Sequence, residues 1–522
     1  MEHRNPRRLQ GKRAKLLGLP LAAALGLFAF AGPALSGKAN NVLVVGSPID
    51  LTEPDAAAGT LGTDMPFLYT MHDRLIGFDP KDMSLRPMLA TGWEWSNDNR
   101  TLTLKLREGV KFHDGTEFNA EAVKTSLEYF QNLDINRDID DVTSIEVIDP
   151  LTIALTTEKP NSSLLGNLAE RAGMIISPKS IASHEPGKIG FDTAGTGPYR
   201  IKEREPGSRI FFERFPDYWD ADAAKLDGVE YRIIKNSTSM VTALMTGQLD
   251  YVSPLDPLNI PALEKNPNLR VAVEGTLAFG ILNTNTGLKP TNDPRVRQAL
   301  LMAINRPGLA AAVYGQNVKT GAALQPAPEG YWPHTDALSD ALPYDPAKAK
   351  ALLAEAGYPN GVEVSLCINA NYGMPAPALK ISDILREQFR AIGVTLNVTQ
   401  AASNSVCSDM FSVQKAVNLF LASWSGRVDP IITYALMMGS KTFYNAAGTK
   451  YENADELIGQ LQQTFDKGEQ KPIFDKLNQI WVNQLPMLPL YYFSNVVAYN
   501  SDLTGEQPNL LGRPYVRTLH YK

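Results

Sequence analysis

Residues 85–130 read LRPMLATGWEWSNDNRTLTLKLREGVKFHDGTEFNAEAVKTSLEYF. Thr101 to Leu106 alternates polar and apolar at every step, the period of a strand with one buried face. Gly109 interrupts the pattern. Asp114-Gly115 supplies a turn, because Asp accepts local backbone hydrogen bonds and Gly tolerates positive φ. Asn119 then stands where a helix begins, with a side-chain oxygen able to accept from the free N–H groups of the first turn. Glu121 falls in that first turn, at the positive end of the helix dipole. Val123, Leu127 and Phe130 recur along one face. A half-buried strand, a turn and a capped amphipathic helix therefore follow one another.

Toward the N-terminus the chain changes character. Arg4, Arg7, Arg8, Lys12, Arg13 and Lys15 form a basic region, and Leu16 to Ala31 is apolar. That run has the length of a signal h-region and is short for a membrane span. Ala34-Leu35-Ser36 offers small residues at cleavage spacing, so residues 1–36 are expected to be a signal peptide, cut after Ser36 or alternatively after Ala39. An uncleaved anchor is the other reading of the same run. No Cys lies nearby, which argues against a lipoprotein. Of 50 Lys/Arg and 56 Asp/Glu, residues 1–36 hold six and one, leaving 44 and 55 and a net charge of −11. A body this acidic is a poor partner for nucleic acid or an anionic membrane.

Past the basic and apolar run, Asn41 to Val45 and Leu226 to Lys235 read as strands, and Pro66 to Asp73 as a helix. A helix near Ser239 to Thr246 ends at Gly247, which suits a left-handed C-cap. Asp293-Pro294 and Asp345-Pro346 each start a helix, with Asp as cap and Pro at the first position. Val362 to Ile368, Ala378 to Ile392 and Val394 to Val398 form strand, helix and strand, which predicts a parallel pair with a right-handed crossover. Leu477 to Leu485 reads as helix and Met487 to Tyr499 as a strand-rich return. Cys367 and Cys407 are the two cysteines, 40 residues apart. In an oxidising compartment they either pair or stay free. At 522 residues the chain exceeds one core, so two or three domains are expected.

The 85–130 stretch resembles the N-terminal signature of the family 5 extracellular solute-binding proteins, the periplasmic receptors of peptide, nickel and related ABC importers. Gly195-Thr196-Gly197-Pro198-Tyr199 resembles the family's GTGPY, and Phe279 to Asn285 (FGILNTN) its crossover segment. The resemblance implies an α/β, two-lobed periplasmic binding protein-like fold (type II, cluster C) with an extra domain inserted in the first lobe. Residues 37–62, 190–278 and 490–522 would form lobe I, 63–189 the extra domain and 279–489 lobe II, with hinges near Gly280 and Leu490. It further implies a monomer that binds a peptide or peptide-like solute, passes it to membrane permease subunits, works in the periplasm and needs no cofactor.

Leu419 to Pro430, LFLASWSGRVDP, is the candidate recognition loop. An apolar strand gives way to Trp424, Gly426, Arg427, Asp429 and Pro430. Trp is a flat wall with one donor. Arg is a fork that fits a carboxylate or phosphate. Asp429 can answer a cation or hold Arg427 in place, and a plain surface loop with one Arg–Asp pair is the alternative. Peptide-binding relatives carry an Asp three residues after this Trp, where it takes the peptide's ammonium group. Arg427 stands there instead and would repel an ammonium. Arg427 therefore either binds an acidic, blocked or modified solute or locks the closed form through an acid on the other lobe. Phe279 and Phe493 sit where the family places cleft or hinge residues, and each also fits a core position.

Other chemistry is missing from the sequence. His72, His113, His184, His334 and His520 are scattered, with no His-Glu-x-x-His and no paired Cys motif, so no zinc is expected. There is no Gly-x-Ser-x-Gly elbow and no Walker loop. His113-Asp114 reads better as a hydrogen-bonded turn than as a catalytic pair. A secreted hydrolase acting on peptides or sugars is the competing function, and no nucleophile or carboxylate dyad stands out for it.

Overall fold

The computed structural model describes residues 37–315, 323–369 and 378–522. The expected signal peptide over residues 1–36 lies outside the described residues. Among them, no helix is long and apolar enough to cross a membrane.

A ten-stranded mixed sheet organises the described chain. Its order is Val394–Ala401, Val362–Asn369, Leu419–Trp424, Leu269–Thr284, Met487–Asn500, Tyr251–Val252, Val42–Ser47, Gly228–Ile233, Arg209–Arg214 and Tyr199–Glu205. Two long antiparallel strands, Leu269–Thr284 and Met487–Asn500, occupy the middle. Their register breaks between Gly275 and Phe279 and again between Gly280 and Ile281. On one side of the break, Leu269 to Gly275 pairs with Ser494 to Asn500; on the other, Phe279 pairs with both Tyr492 and Trp424. Strand Leu419–Trp424 therefore ends level with the break.

Local chemistry explains the outer elements. Val42–Ser47 is an apolar run because parallel neighbours flank it on both edges, Gly228–Ile233 and Tyr251–Val252. Val362–Asn369 and Val394–Ala401 pair in parallel across helix Ala378–Ala391. A separate antiparallel sheet holds Ala90–Trp95, Thr101–Leu106, Thr152–Thr157 and Val142–Asp149 in that order. Leu102, Leu104 and Leu106 of its second strand are buried, as the alternation requires. Asn119 caps helix Ala120–Asn132 by accepting from the Ala122 N–H at 2.9 Å. Gly195 and Gly197 allow the chain to lie on the end of helix Met65–Met71: a Cβ at either would fall 2.4 Å from atoms of Met71 or His72. The His113 ring bonds the Gly197 carbonyl at 2.9 Å, and Asp114 accepts from the Thr116 N–H and the Ser177 hydroxyl. That is a structural turn.

Two apolar cores result. One joins Leu102, Leu104 and Ile153 of the small sheet to Leu43, Val45 and Tyr231 of the large one. The other gathers Ile281, Leu300, Leu366, Leu421 and Trp481. Cys367 and Cys407 are bonded, Cα to Cα 5.6 Å, which ties strand Val362–Asn369 to helix Asn404–Ser412. The helix expected over 477–485 begins earlier and runs Lys467–Gln484, capped by Asp466. Pro472 forgoes one backbone bond inside it, and burial of Phe474, Leu477 and Trp481 carries the helix through.

Candidate functional site

The loop after strand Leu419–Trp424 is built by three local constraints. Gly426 adopts φ +71°, and a Cβ there would lie 2.7 Å from that of Leu277, so glycine is required twice over. Trp424 is buried, donates to the Thr433 hydroxyl at 3.2 Å and meets Tyr444 edge-on at 5.5 Å. Arg427 folds back over the Trp424 ring, 4.5 Å from its centroid, a cation–π contact. Its Nη1 donates to Ser425 Oγ at 3.0 Å and to the Gly426 carbonyl at 2.8 Å.

Asp429 does not hold Arg427. Its carboxylate accepts from the Ile431 N–H at 2.8 Å and caps helix Pro430–Met438. Among the described residues Arg427 makes no ion pair, so the Arg–Asp pair expected of a plain surface loop does not form. Asp429 keeps part of its surface open. Its carboxyl is nonetheless enclosed, and burial pushes its pKa up to about 6. The Ser163 hydroxyl approaches it and pulls the other way, without meeting hydrogen-bond geometry. Gly166 lies against it: a Cβ there would sit 2.6 Å from the Asp429 Cβ.

A pocket opens beside the loop, lined by Leu277, Tyr331, Gly426, Arg427, Pro430 and Tyr434 among others, with about 240 Å³ of space between atoms. Leu277 comes from the break in the long strand, and its N–H donates to the Leu510 carbonyl at 2.7 Å. Burial raises the Tyr331 pKa, and its hydroxyl has no partner among the described residues.

Residues 161–171 face this loop. The Ser162 N–H donates to Gln462 O at 2.7 Å and its hydroxyl to Leu461 O at 3.1 Å. Trp95 meets Phe465 edge-on at 4.9 Å. Gly62 approaches Ser425 Oγ, 3.7 Å from where a Cβ would be. Glu170 pairs with Arg513 at 3.1 Å and accepts from Tyr69 at 3.2 Å. Burial alone would raise Glu170, but Arg513 and then Arg427 outweigh it and hold the group below its ordinary value. Asp138, partly exposed, is raised by burial, and Arg427 is the foremost group opposing that shift. The guanidinium of Arg427 is thus felt by two acids of the facing wall.

The five candidate residues divide. Trp424, Arg427 and Asp429 lie together at the loop. Phe279 is fully buried behind Trp424, edge-on to Tyr492 at 5.7 Å. Phe493 is 9% exposed, packed on Tyr491 and Tyr314, and does not line the pocket. Leu277, Tyr331 and Glu170 are not among the residues that the sequence singles out. The adjacent charges of Glu170-Arg171 inside SLLGNLAERAGMII were a signal, since charged residues are seldom buried unless paired.

Known proteins resemble this chain throughout. The profile described as bacterial extracellular solute-binding proteins, family 5 Middle, matches residues 84–446. The glutathione-binding protein GsiB of Escherichia coli O6:K15:H31 (strain 536 / UPEC) is 30% identical over 514 residues, covering 94% of this chain and 96% of that protein. GsiB of Escherichia coli strain K12 matches to the same extent. Among solved structures, a dipeptide binding protein from Pseudoalteromonas sp. SM9913 in complex with Met-Leu superposes with TM-score 0.80 at 24% identity, over 92% of this chain and all of that one. The periplasmic binding protein DppA from Helicobacter pylori, in complex with peptide STSA, gives TM-score 0.80 at 23% identity, over 93% of this chain and all of that one. The last two show the fold.

Proposed function

Because the chain belongs to the bacterial extracellular solute-binding proteins of family 5, we propose that its cargo is a short, acidic, peptide-like solute. It is the solute-binding subunit of an ABC importer. Two lobes, divided near residues 279 and 490, close on the solute in the periplasm and deliver it to the membrane permease; no bond is made or broken. The strands Leu269–Thr284 and Met487–Asn500 serve as the hinge.

One observation carries the acidic preference: Arg427 lies in the pocket wall and, among the described residues, has no carboxylate in ion-pair contact, since Asp429 is spent on a helix cap. A solute carboxylate can take its fork. The relatives named for glutathione support the same class, because that tripeptide carries two carboxylates against one ammonium. Glutathione is the first candidate.

Isothermal titration of glutathione and of a neutral tripeptide, on wild type and Arg427→Ala, tests this. Glutathione affinity should fall about 10- to 100-fold, the loss of a charged hydrogen bond worth about 1.5–3 kcal/mol. The neutral peptide should be unaffected. Arg427's influence on Asp138 and Glu170 favours a second reading, in which it locks the closed form. A lock would weaken both peptides alike, and an unchanged affinity for glutathione would sink both readings.

A further inference from the structure

Glu170 and Arg171 follow one another, and both are more than nine-tenths buried, at 8% and 7% exposed. Each has one end engaged and one end free. Glu170 Oε2 receives Tyr69 and the Arg513 Nη1, while Oε1 is buried with no partner among the described residues. Arg171 Nη2 donates to the Leu61 carbonyl at 2.7 Å, while Nη1 is buried with none. Buried polar groups are almost always satisfied, and leaving a charged one unsatisfied is costlier than leaving a neutral one so. The two free atoms are complementary in kind. A carboxylate oxygen calls for a donor, and a guanidinium N–H calls for an acceptor. They do not satisfy each other, although the Glu170 charge is felt by Arg171.

Arg171 is also close to the loop described above. Its Nη2 holds Leu61 O; the next residue, Gly62, packs toward Ser425 Oγ, and that oxygen accepts from Arg427. Gly59 packs against the side on which Nη1 lies, since a Cβ there would come within 2.8 Å of it. Glu170 is influenced by Arg427 as well.

We propose that Glu170 and Arg171 form a subsite for an α-amino-acid head group, with Glu170 Oε1 taking the ammonium and Arg171 Nη1 the carboxylate, while Arg427 takes a carboxylate at the far end of the solute. This rests on the acidic-cargo reading and narrows it. An ordinary α-linked peptide offers only an ammonium at its amino end. A γ-linked glutamyl peptide keeps ammonium and carboxylate on one carbon, so its head matches the pair of free atoms. The cargo class is a γ-glutamyl peptide.

The test compares two isomers of the same composition and charge, γ-Glu-Cys-Gly and α-Glu-Cys-Gly, by isothermal titration of the full-length protein. Wild type should bind the γ isomer at least about tenfold tighter, one well-placed charged contact. Glu170→Gln keeps an acceptor for Tyr69 and should bring the isomers to within about threefold. Equal wild-type affinities for the isomers would overturn the subsite and leave the acidic-cargo reading standing. An unaltered isomer ratio in a folded Glu170→Gln protein would do the same, and if that variant does not fold the wild-type ratio decides. Binding of neither isomer would remove both proposals.

Discussion

Gly166 and Asp429 show how much rests on a single missing side chain. The two residues touch across the cleft with no room for a methyl group, and the obstructing atom is another Cβ, which cannot swing aside. Gly166→Ala should therefore hold the walls apart. Solute affinity should drop about tenfold or more with little change in melting temperature, because the clash exists only when the walls meet. Titration together with a melting curve measures both; an unchanged affinity would count against this closed contact. The same residue pair explains why the loop was half legible. Asp-Pro was recognised as a helix start at 293 and 345. Asp429-Pro430 has the same form, and the same rule makes Asp429 a cap, leaving Arg427 without it. Proximity to Arg427 obscured that signal.

At the scale of elements, the long strand Leu269–Thr284 carries a half-buried acid. Glu274 accepts from the Asn509 N–H at 3.2 Å, and Tyr251 donates to Glu506 at 3.3 Å. Burial first, then the Glu274 charge, pushes Glu506 up to about 7. A carboxyl whose folded pKa lies above its unfolded one binds more protons when folded, so stability falls as pH rises from about 4.5 through 7. Glu506→Gln should flatten that part of the curve in urea melts at pH 5 and pH 8. His72 and His113 act in the opposite sense. Burial, the leading cause for each, lowers them to about 3 and about 4. The unfolded chain then binds more protons below pH 6.5, and their contribution is lost as the solution is acidified. His72→Leu should make the protein less sensitive to acid between pH 6 and pH 4 in the same melts, and an unchanged acid limb would contradict the assignment. Elements such as Thr101–Leu106 and Ala120–Asn132 were legible because alternation and capping are written in neighbouring residues. The start of helix Lys467–Gln484 was not, since Pro472 reads locally as a breaker and only long-range burial of Phe474 and Trp481 overrides it.

Across the whole molecule, the disulfide closes a loop that spans strand, helix and strand. Reducing Cys367–Cys407 should cost about 3–4 kcal/mol by loop entropy for 40 residues. Melting with and without reductant measures it, and a shift below about 1 °C would show that packing alone holds this region. The pocket was the least legible feature. Leu277, Tyr331 and Arg427 are far apart in the chain, and no period or spacing connects them. They meet only because two facing walls come together, which is a property of the assembled sheet.

The break in register at Gly275 to Phe279 gives the molecule a mechanical character. Leu277 lies in that break and also lines the pocket, so under the proposed reading fulcrum and load would share one place. The outer contacts, Ser162 with Leu461 and Trp95 with Phe465, lie out along the arms. A solute gripped at such a fulcrum would move almost nothing itself while the rim swept a long arc. A receptor geared in this way would turn a small chemical difference at Arg427 into a large change in outline, the kind of signal a membrane partner can read without touching the cargo.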